Sequence, residues 1–284
     1  MNEAKVSMLI LGFGWSGPFL KEVLTQQAIP YSATTRDGRN DTIAWELPPQ
    51  DDQEVDVSAL PAAMTVLVTF PVRSARSMEK LMDAYEARHH DGLQQQVQWI
   101  LLSSTRVYDG DKCDRHGPMN LDKDSSGRTE GEKVTLARGG TVVHLAGLWG
   151  AQRQPRNWVS RFSTPEALRG KLLQRQLHLI HGQDVARALV LGVHGQFAKT
   201  KGQRWIVTDG GCYDWVKLIL AWGSQEQVET TQKLIPSVLG TSNNTTTIYD
   251  LVDPNNGVII HPRLDSTEFW DTFGLKPTQF LQVP

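Results

Sequence analysis

The sequence MLILGFGWSGPFL, residues 8–20, places an apolar run directly before Gly12-Phe13-Gly14-Trp15-Ser16-Gly17, a complete G-x-G-x-x-G. The first glycine of this pattern allows a tight turn, the second lets a pyrophosphate approach the backbone, and the third lets the following helix pack on the sheet. A helix beginning near Ser16 turns its free N–H groups and the positive end of its dipole towards the phosphates. This stretch therefore predicts a dinucleotide site that includes all six residues, Gly12, Phe13, Gly14, Trp15, Ser16 and Gly17.

The composition argues against several classes of protein. The 284 residues carry a formal net charge of −2, which gives no field to attract nucleic acid or an anionic membrane. Cys113 and Cys212 show no metal-ligand spacing, so we expect no metal site and a reducing compartment. The charged start MNEAKVS leaves no room for a signal peptide, and no apolar run reaches the length of a membrane span. These features predict a cytoplasmic protein.

Strand-like and helix-like stretches alternate over the first 150 residues. The predicted strands are Val6–Leu11, Tyr31–Thr35, Thr42–Glu46, Met64–Phe70, Trp99–Ser103 and Thr141–Ala146, and the predicted helices are Phe19–Gln26, Ser77–Ala87 and Gly127–Ala137. Such alternation is typical of a parallel sheet, and continuously apolar strands such as TVLVTF indicate that helices cover both faces. The prediction is an α/β fold with a Rossmann doubly wound parallel sheet.

The composition changes after Gly150, where the polar, turn-rich sequence QRQPRN begins. We expect residues 1–150 to form an NAD(P)-binding Rossmann domain to which residues 179–210 return. Residues 151–178 and 211–284 are predicted to form a smaller C-terminal lobe that binds the substrate.

The residue that meets the adenosine ribose is expected at the end of the second strand, about 20 residues beyond the glycines, where an acidic side chain binds a free 2′-hydroxyl. Arg36 stands there, preceded by Thr35 and followed at a short distance by Arg39. A guanidinium binds a 2′-phosphate through paired charge-assisted hydrogen bonds, so NADP(H) is favoured over NAD(H). In the alternative interpretation both arginines are solvated loop charges and Asp37 binds the ribose.

Further cofactor contacts are predicted where later strands end. Phe70 and Pro71 follow the fourth strand, and topology places them beside the adenosine and the pyrophosphate. Ser103 at the end of the fifth strand and Leu148 beyond the sixth complete the predicted cofactor site.

Several segments, in order along the chain, resemble the extended and atypical short-chain dehydrogenases/reductases, an NAD(P)-dependent epimerase/dehydratase-like family. The segment LLSSTRVYDG, residues 101–110, resembles the S-S-T-x-V-Y-G stretch of that family. The other similar segments are GRTEGEK (127–133), HLAGLWG (144–150), LIHGQDVARA (179–188), WIVTDG (205–210) and the C-terminal residues 263–277.

The resemblance implies catalysis by a Ser or Thr together with a Tyr-x-x-x-Lys pair on the helix after the fifth strand. Ser104 matches the hydroxyl position, but no tyrosine occurs between Tyr108 and Tyr213. One alignment of the helix places Asp124 and Arg128 at the two positions, and a shift by one turn pairs Thr129 with Lys133.

The segment from Tyr108 to Lys112 matches the missing Tyr-x-x-x-Lys motif in sequence. The Asp-Gly-Asp between the two residues favours a turn, however, which does not place both side chains on one helix face. Tyr108 still leaves the strand end where substrates of such folds bind. The candidate catalytic residues are therefore Ser104, Tyr108 and Arg128. His181 is expected to anchor structure, with Asp184 capping a helix over Val185–Leu191.

Three functions remain open at this point. The first is an NADP(H)-dependent oxidoreductase that acts on a small-molecule carbonyl, imine or sugar-like substrate. The second is a non-enzymatic NADP(H)-binding redox sensor or scaffold, which the missing tyrosine favours. The third is an epimerase, isomerase or cyclase that uses the same pocket. By analogy with related folds, a homodimer is possible.

Overall fold

A seven-stranded parallel sheet forms the centre of the molecule. The computed structural model describes residues 6–90, 96–240, 246–253, 255 and 260–284. In this part of the chain the strands are β1 (Val6–Leu11), β2 (Tyr31–Thr35), β3 (Ile43–Ala44), β4 (Ala63–Val68), β5 (Gln98–Ser104), β6 (Thr141–Leu145), β7 (Gly147–Trp149), β8 (Gln176–Leu177), β9 (Leu179–His181), β10 (Arg204–Val207) and β11 (Tyr213–Asp214). The central sheet has the order β10-β6-β5-β4-β1-β2-β3, with every neighbouring pair parallel.

This strand order confirms the predicted Rossmann architecture. From β1 the chain moves outward through β2 and β3, then crosses back to β4 and proceeds in the opposite direction. The direction of winding reverses between β1 and β4, and ligands of open α/β sheets bind at the carboxyl ends of the strands beside such a switch point. The glycine loop that follows β1 lies there.

Helices cover both faces of the sheet and build the smaller lobe. They are α1 (Gly17–Gln26), α2 (Ala75–His89), α3 (Arg128–Ala137), α4 (Arg156–Val159), α5 (Pro165–Gln174), α6 (Gly182–Arg187), α7 (Trp215–Trp222), α8 (Gln225–Leu239) and α9 (Thr267–Phe273). A π-helical stretch, Ala188–His194, continues α6. None of the helices in the described ranges is long and apolar enough to cross a membrane.

Alternate residues of each strand supply two separate hydrophobic cores. In β1, Met8 and Ile10 pack with the helices α1, α6 and α9, whereas Leu9 and Leu11 pack with α2 on the opposite face. Successive side chains of a strand point to opposite faces, so a strand covered on both sides must be apolar throughout. The continuous apolar runs in the sequence have this origin.

The predicted strand Met64–Phe70 ends two residues early, at Val68. Thr69 leaves the sheet and its hydroxyl donates hydrogen bonds to the carbonyl oxygens of Leu11, at 3.2 Å, and Gly12. The end of β4 is thereby joined to the turn that follows β1, which fixes one wall of the site described below.

The smaller lobe has its own core, in which α4, α5, α7 and α8 pack around Val159, Leu172 and Trp215. The helix α9 departs from the predicted division, because its Phe269 and Phe273 belong to the core of the large sheet. Residues 211–284 therefore do not form one lobe, and the substrate-binding role of this lobe stays a prediction.

Candidate functional site

A cleft of about 1120 Å³ opens at the carboxyl ends of the central strands. The volume lies just above the usual range of small-molecule sites, roughly 300–1,000 Å³, and suits an extended ligand such as a dinucleotide. It brings together the predicted cofactor residues Gly12, Phe13, Gly14, Trp15, Ser16, Thr35, Arg36, Arg39, Phe70, Pro71, Ser103 and Leu148. Gly17 is buried directly behind this wall, at the first position of α1.

The glycine loop has the backbone geometry that a phosphate cradle needs. Gly12 has φ +91°, and a Cβ on it would lie 2.8 Å from the side chains of Thr69 and Phe70. A Cβ on Gly17 would lie 2.3 Å from the Phe13 ring. Ser16, the residue before α1, makes no side-chain cap hydrogen bond, but the Gly17 N–H bonds to the Phe13 carbonyl oxygen at 2.6 Å and Pro18 has no N–H. The glycine conformations of the loop, rather than free N–H groups at the helix start, are what fits a bound pyrophosphate.

At the end of the cleft beside β2, two arginines lie in solvent. The Arg36 side chain is 87% exposed and its Nε is 3.9 Å from a Glu46 carboxylate oxygen. Arg39 pairs with Asp37 at 3.7 Å. The Thr35 hydroxyl lies 2.7 Å from that of Thr42, so the loop that carries both arginines is tied to the end of β2.

Two residues that the sequence analysis missed, Trp45 and Arg153, extend the cleft wall beside the predicted residues Phe70 and Trp15. The rings of Trp45 and Phe70 lie beside this end with centroids 6.4 Å apart and planes tilted by 38°. The Arg153 guanidinium lies 4.6 Å from the centre of the Trp15 ring, directly over the glycine loop. No local pattern could have indicated either, because each depends on a loop distant in sequence.

At the opposite end, a smaller cavity of about 110 Å³ borders the same residues Ser103 and Arg128. Ser104 lines this smaller cavity, together with Arg106 and Lys123. The Ser104 hydroxyl accepts a hydrogen bond from the Arg106 backbone N–H at 3.3 Å. Two of the three candidate catalytic residues, Ser104 and Arg128, thus line the same smaller cavity, and Arg128 also lines the cleft.

Arg128 is half-buried, and burial lowers the pKa of its guanidinium, with Asp124 opposing this and Arg106 and Arg73 adding to it. Its Nε is buried without a hydrogen-bond partner. No salt bridge to Arg128 is found among the residues that the structure describes. A guanidinium in this state, on the wall of both cavities, is available to an anionic or strongly polar ligand group.

Asp124 lies four residues before the helix α3 and is bound to its first turn. Its carboxylate accepts hydrogen bonds from the backbone N–H groups of Arg128, at 3.1 Å, and Thr129, at 2.8 Å, and from the Thr129 hydroxyl. Although burial acts in the opposite direction, these bonds lower the pKa of Asp124 to about 2. A carboxylate that stays ionised and bonded to a helix end positions Arg128 rather than donating protons.

We expect Asp124→Ala to lower the free energy of unfolding by about 1 kcal/mol, the usual effect of removing a helix cap. Urea denaturation followed by circular dichroism measures this change. Asp122→Ala is the matched control, since Asp122 is an exposed acid two residues away that makes no contact with α3. Equal stability of both variants would contradict the capping role.

The alternative pairing of Thr129 with Lys133 is wrong. Thr129 is 6% exposed and its hydroxyl is bound to Asp124. The Lys133 side chain is 59% exposed and forms an ion pair with Glu130 at 2.7 Å on the outer side of α3. The two side chains cannot meet a common substrate.

Tyr108 is placed away from the cleft, so the structure corrects its assignment as a candidate acid. Its side chain is fully buried with Val107, Cys113 and Leu264, and it lines neither cavity. Burial raises the pKa of Tyr108 to about 12. The residue leaves β5 as expected, but a short 3-10 turn beginning at Thr105 directs its ring inward.

A buried polar cluster behind Ser103 was missed by the sequence analysis. Ser103 donates a hydrogen bond to Glu132 of α3, which is 3% exposed. The second carboxylate oxygen of Glu132 lies 3.4 Å from Nε2 of His144, a fully buried residue of β6. The spacing from Arg128 to Glu132, four residues on one helix, was the available signal, because it places both side chains on the same face.

The structure also corrects the predicted helix cap near His181. Nδ1 of His181 accepts a hydrogen bond from the Gln183 N–H at 3.1 Å, so His181 itself caps α6. The carboxylate of Asp184 is fully buried and accepts the backbone N–H groups of Thr278 and Gln279, each at 2.9 Å. Asp184 therefore fixes the C-terminal segment to the sheet. Across the described residues, no group of three or more His, Cys, Asp or Glu could hold a metal ion.

No protein-family profile matches the sequence, and no curated protein matches it. Solved structures do match over nearly the whole chain. A functionally unknown conserved protein from Silicibacter pomeroyi is 17% identical with a TM-score of 0.61, covering 95% of this chain and 93% of its own. MoeE5 in complex with UDP-glucose and NAD is 16% identical with a TM-score of 0.59, covering 97% and 94%.

A short-chain dehydrogenase/reductase superfamily protein from Agrobacterium tumefaciens with bound NAD is 13% identical, with a TM-score of 0.58 and coverage of 96% of this chain and 93% of its own. The chain thus has the fold of short-chain dehydrogenase/reductase and epimerase proteins. The predicted resemblance is confirmed at the level of the fold.

Proposed function

We propose that this chain is an atypical short-chain dehydrogenase/reductase that binds NADP(H) and reduces or oxidises a small-molecule carbonyl, imine or sugar-like substrate. The observation that carries the proposal is a cleft lined by the glycine loop, by Arg36 and Arg39, and by Ser103 and Arg128, which adjoins a smaller cavity lined by Ser104. The neighbour solved with both NAD and UDP-glucose supports a nicotinamide cofactor beside a second, sugar-containing ligand.

The preference for NADP(H) rests on the charges beside β2. Arg36 is exposed and only loosely opposed by Glu46, so its guanidinium can turn towards a 2′-phosphate. The acid that would bind a free 2′-hydroxyl, Asp37, is paired with Arg39. A phosphate in this position gains charge-assisted hydrogen bonds that a hydroxyl does not.

The residues at the other end of the cleft fit a carbonyl reduction. The bound cofactor supplies a hydride. The Ser104 hydroxyl binds the reacting oxygen, and the positive charge of Arg128 stabilises negative charge that develops on that oxygen in the transition state. Tyr108 takes no part, because it is enclosed in the core.

Calorimetric titration with NADPH and NADH tests the proposal directly. We expect NADPH to bind at least tenfold more tightly than NADH, and Arg36→Gln to remove most of this difference, since a charge-assisted hydrogen bond contributes about 1.5–3 kcal/mol. Arg169→Gln, which changes an exposed arginine of α5 outside the cleft, is the control and should bind both cofactors as the wild type does. No binding of either cofactor would overturn the proposal.

A non-enzymatic NADP(H)-binding sensor is the second candidate, favoured by one observation. The cleft-facing residues of α3 are Arg128 and Glu132, not a tyrosine and a lysine. A sensor should bind NADPH without oxidising it in the presence of a panel of aldehydes, ketones and cyclic imines, and should differ in amide hydrogen exchange between its NADPH and NADP⁺ complexes. The epimerase, isomerase or cyclase alternative instead predicts cofactor that stays bound through purification without net oxidation.

A further inference from the structure

We propose that Glu132 and His144 form a buried acid–base pair that holds one shared proton and exchanges it with the cleft through the Ser103 hydroxyl. The three residues come from neighbouring elements. Ser103 and His144 lie opposite each other in the paired strands β5 and β6, and Glu132 reaches them from α3. Their exposures are 7%, 0% and 3%. Ser103 borders both cavities, Glu132 borders the smaller one, and His144 borders neither.

The hydrogen-bond partners of His144 determine where its protons are. Nδ1 of the ring lies 3.1 Å from the carbonyl oxygen of Ser104, which can only accept, so Nδ1 carries a hydrogen. In the neutral imidazole Nε2 is then a bare acceptor. It faces the second carboxylate oxygen of Glu132 at 3.4 Å.

Without a further proton, these two atoms would be two buried acceptors opposed to each other. Both are buried, and neither has a hydrogen-bond partner among the residues described. Buried polar atoms in folded proteins are almost always hydrogen-bonded, and an unpaired one is costly at low local dielectric. One proton between Glu132 and His144 satisfies both atoms, whichever of the two carries it.

Charged and polar groups from neighbouring elements surround the pair. Burial lowers the pKa of His144 below its ordinary value, although the Glu132 carboxylate and the Ser104 carbonyl raise it, and Arg204 of β10 lowers it further. The Tyr108 ring packs edge-on against His144 at 5.2 Å and supplies no ion, because burial raises the pKa of its hydroxyl. From the N-terminal end of α3, Arg128 adds a positive charge near Glu132.

Ser103 connects this pair with a ligand, and this step rests on the proposed function. When a hydride from a reduced nicotinamide adds to a carbonyl carbon, the π pair of the C=O bond moves to the oxygen. The Ser103 O–H bond breaks and its proton passes to that oxygen. The protonated Glu132 carboxyl group, whose shared proton faces His144, turns about its last carbon–carbon bond and returns that proton to the Ser103 oxygen. The pair is left as neutral His144 and a carboxylate, and water restores the proton. A relay of this kind does the work of the missing tyrosine.

The shared proton is tested by nitrogen NMR of the cofactor-free protein, without any substrate. In the wild type we expect Nε2 of His144 to show the signal of a nitrogen that shares a proton with Glu132. Glu132→Gln has the same shape but no acidic proton. In this variant we expect Nε2 to be a bare acceptor or to accept a hydrogen bond from the glutamine amide. His194, a second buried histidine that contacts Thr65 at 2.7 Å, is the internal control and should not change. A bare Nε2 in the wild type, or identical His144 signals in the variant, would overturn the pair.

The connection to the cleft is tested by exchange with water. Ser103→Cys keeps the side-chain volume but weakens the hydroxyl link, so we expect exchange of the His144 ring protons to slow at least tenfold, whereas Ser104→Cys leaves it unchanged. Equal exchange in both variants would overturn the route through Ser103.

The catalytic use is tested by NADPH oxidation with the same panel of carbonyl compounds. We expect Glu132→Gln to lower kcat about a hundredfold with little change in the KM for NADPH, the usual contribution of a positioned acid. Thr135→Val is the matched control, because Thr135 carries a buried hydroxyl on α3 whose one hydrogen bond within the described residues goes to the Gly131 carbonyl. Full turnover in Glu132→Gln would exclude the relay. If neither the wild type nor any variant bound NADPH, the proposed function would be rejected, but the proton shared by Glu132 and His144 would still stand on the NMR result.

Discussion

Alanine at position 14 is expected to weaken NADPH binding about a hundredfold while the protein remains folded. Gly14 is exposed at the cleft with φ +38°, and a Cβ built on it meets no heavy atom closer than 3.8 Å. The methyl group therefore fits the free protein. It stands where the backbone must approach a pyrophosphate, and displacing the phosphates breaks charge-assisted hydrogen bonds that contribute about 1.5–3 kcal/mol each. A hundredfold change in Kd is about 2.7 kcal/mol, the contribution of one or two such bonds.

The measurement is a calorimetric titration with NADPH, combined with urea denaturation. Gly274→Ala is the matched control: Gly274 also has a positive φ, +62°, with no atom within 4 Å of a built Cβ, but it ends α9 outside the cleft. Both variants should lose about 1 kcal/mol of stability, and only Gly14→Ala should lose affinity. Unchanged NADPH affinity in Gly14→Ala would place the phosphates elsewhere.

Gly12→Ala gives a different expected result, because its Cβ would collide with Thr69 and Phe70 in the free protein. We expect this variant to lose stability as well as affinity. Within one motif, Gly12 is therefore required for the folded structure as well as for the ligand, whereas Gly14 is required mainly for ligand binding.

Most of the sheet could be predicted from the sequence because its signals are local. A strand covered on both faces is apolar at every position, and β1 and β2 have the predicted bounds, Val6–Leu11 and Tyr31–Thr35. The glycine loop could be predicted for a similar reason, since each glycine is required by a tight turn or by a close approach of the backbone to another group within a few residues.

The direction of side chains near the reacting end could not be predicted, because it depends on how distant elements pack. Tyr108 lies four residues beyond Ser104, yet a 3-10 turn sends its ring into a core that includes Leu264, far along the chain. Glu132 faces Ser103 because α3 packs against β5, a contact between elements that lie far apart in sequence. The family pattern directed attention to a tyrosine and a lysine and did not indicate a glutamate paired with the histidine of β6.

His178 is also held by contacts with distant parts of the chain, and we expect its protonation to lower the stability of the folded protein in acid. His178 is 7% exposed between β8 and β9, and its Nδ1 lies 3.2 Å from the Gly211 carbonyl, to which it donates. Nε2 accepts the backbone N–H groups of Arg263, at 3.2 Å, and Leu264, at 3.4 Å. Only the neutral ring can donate from Nδ1 and accept at Nε2 at the same time, since protonation of Nε2 removes its acceptor.

Burial lowers the pKa of His178 to about 4 from its ordinary value of 6.5, with the Gly211 carbonyl opposing this effect. The unfolded chain therefore takes up a proton at a higher pH than the folded protein. Stability from His178 is fully present above pH 6.5 and is lost as the pH falls towards 4. The shift corresponds to about 3 kcal/mol.

The measurement is urea denaturation at intervals between pH 7 and pH 4, for the wild type and for His178→Gln. The variant should be less stable at neutral pH, and the difference in unfolding free energy should shrink by about 3 kcal/mol over this range, because glutamine has no proton to gain. His261→Gln, at an exposed histidine, should keep the wild-type pH dependence. Since burial also lowers the pKa of His181 and His194, some acid sensitivity will remain in His178→Gln. A constant difference between wild type and variant across the range would mean that the ring is not held neutral, and that residues 263–264 are fixed to the sheet by other contacts.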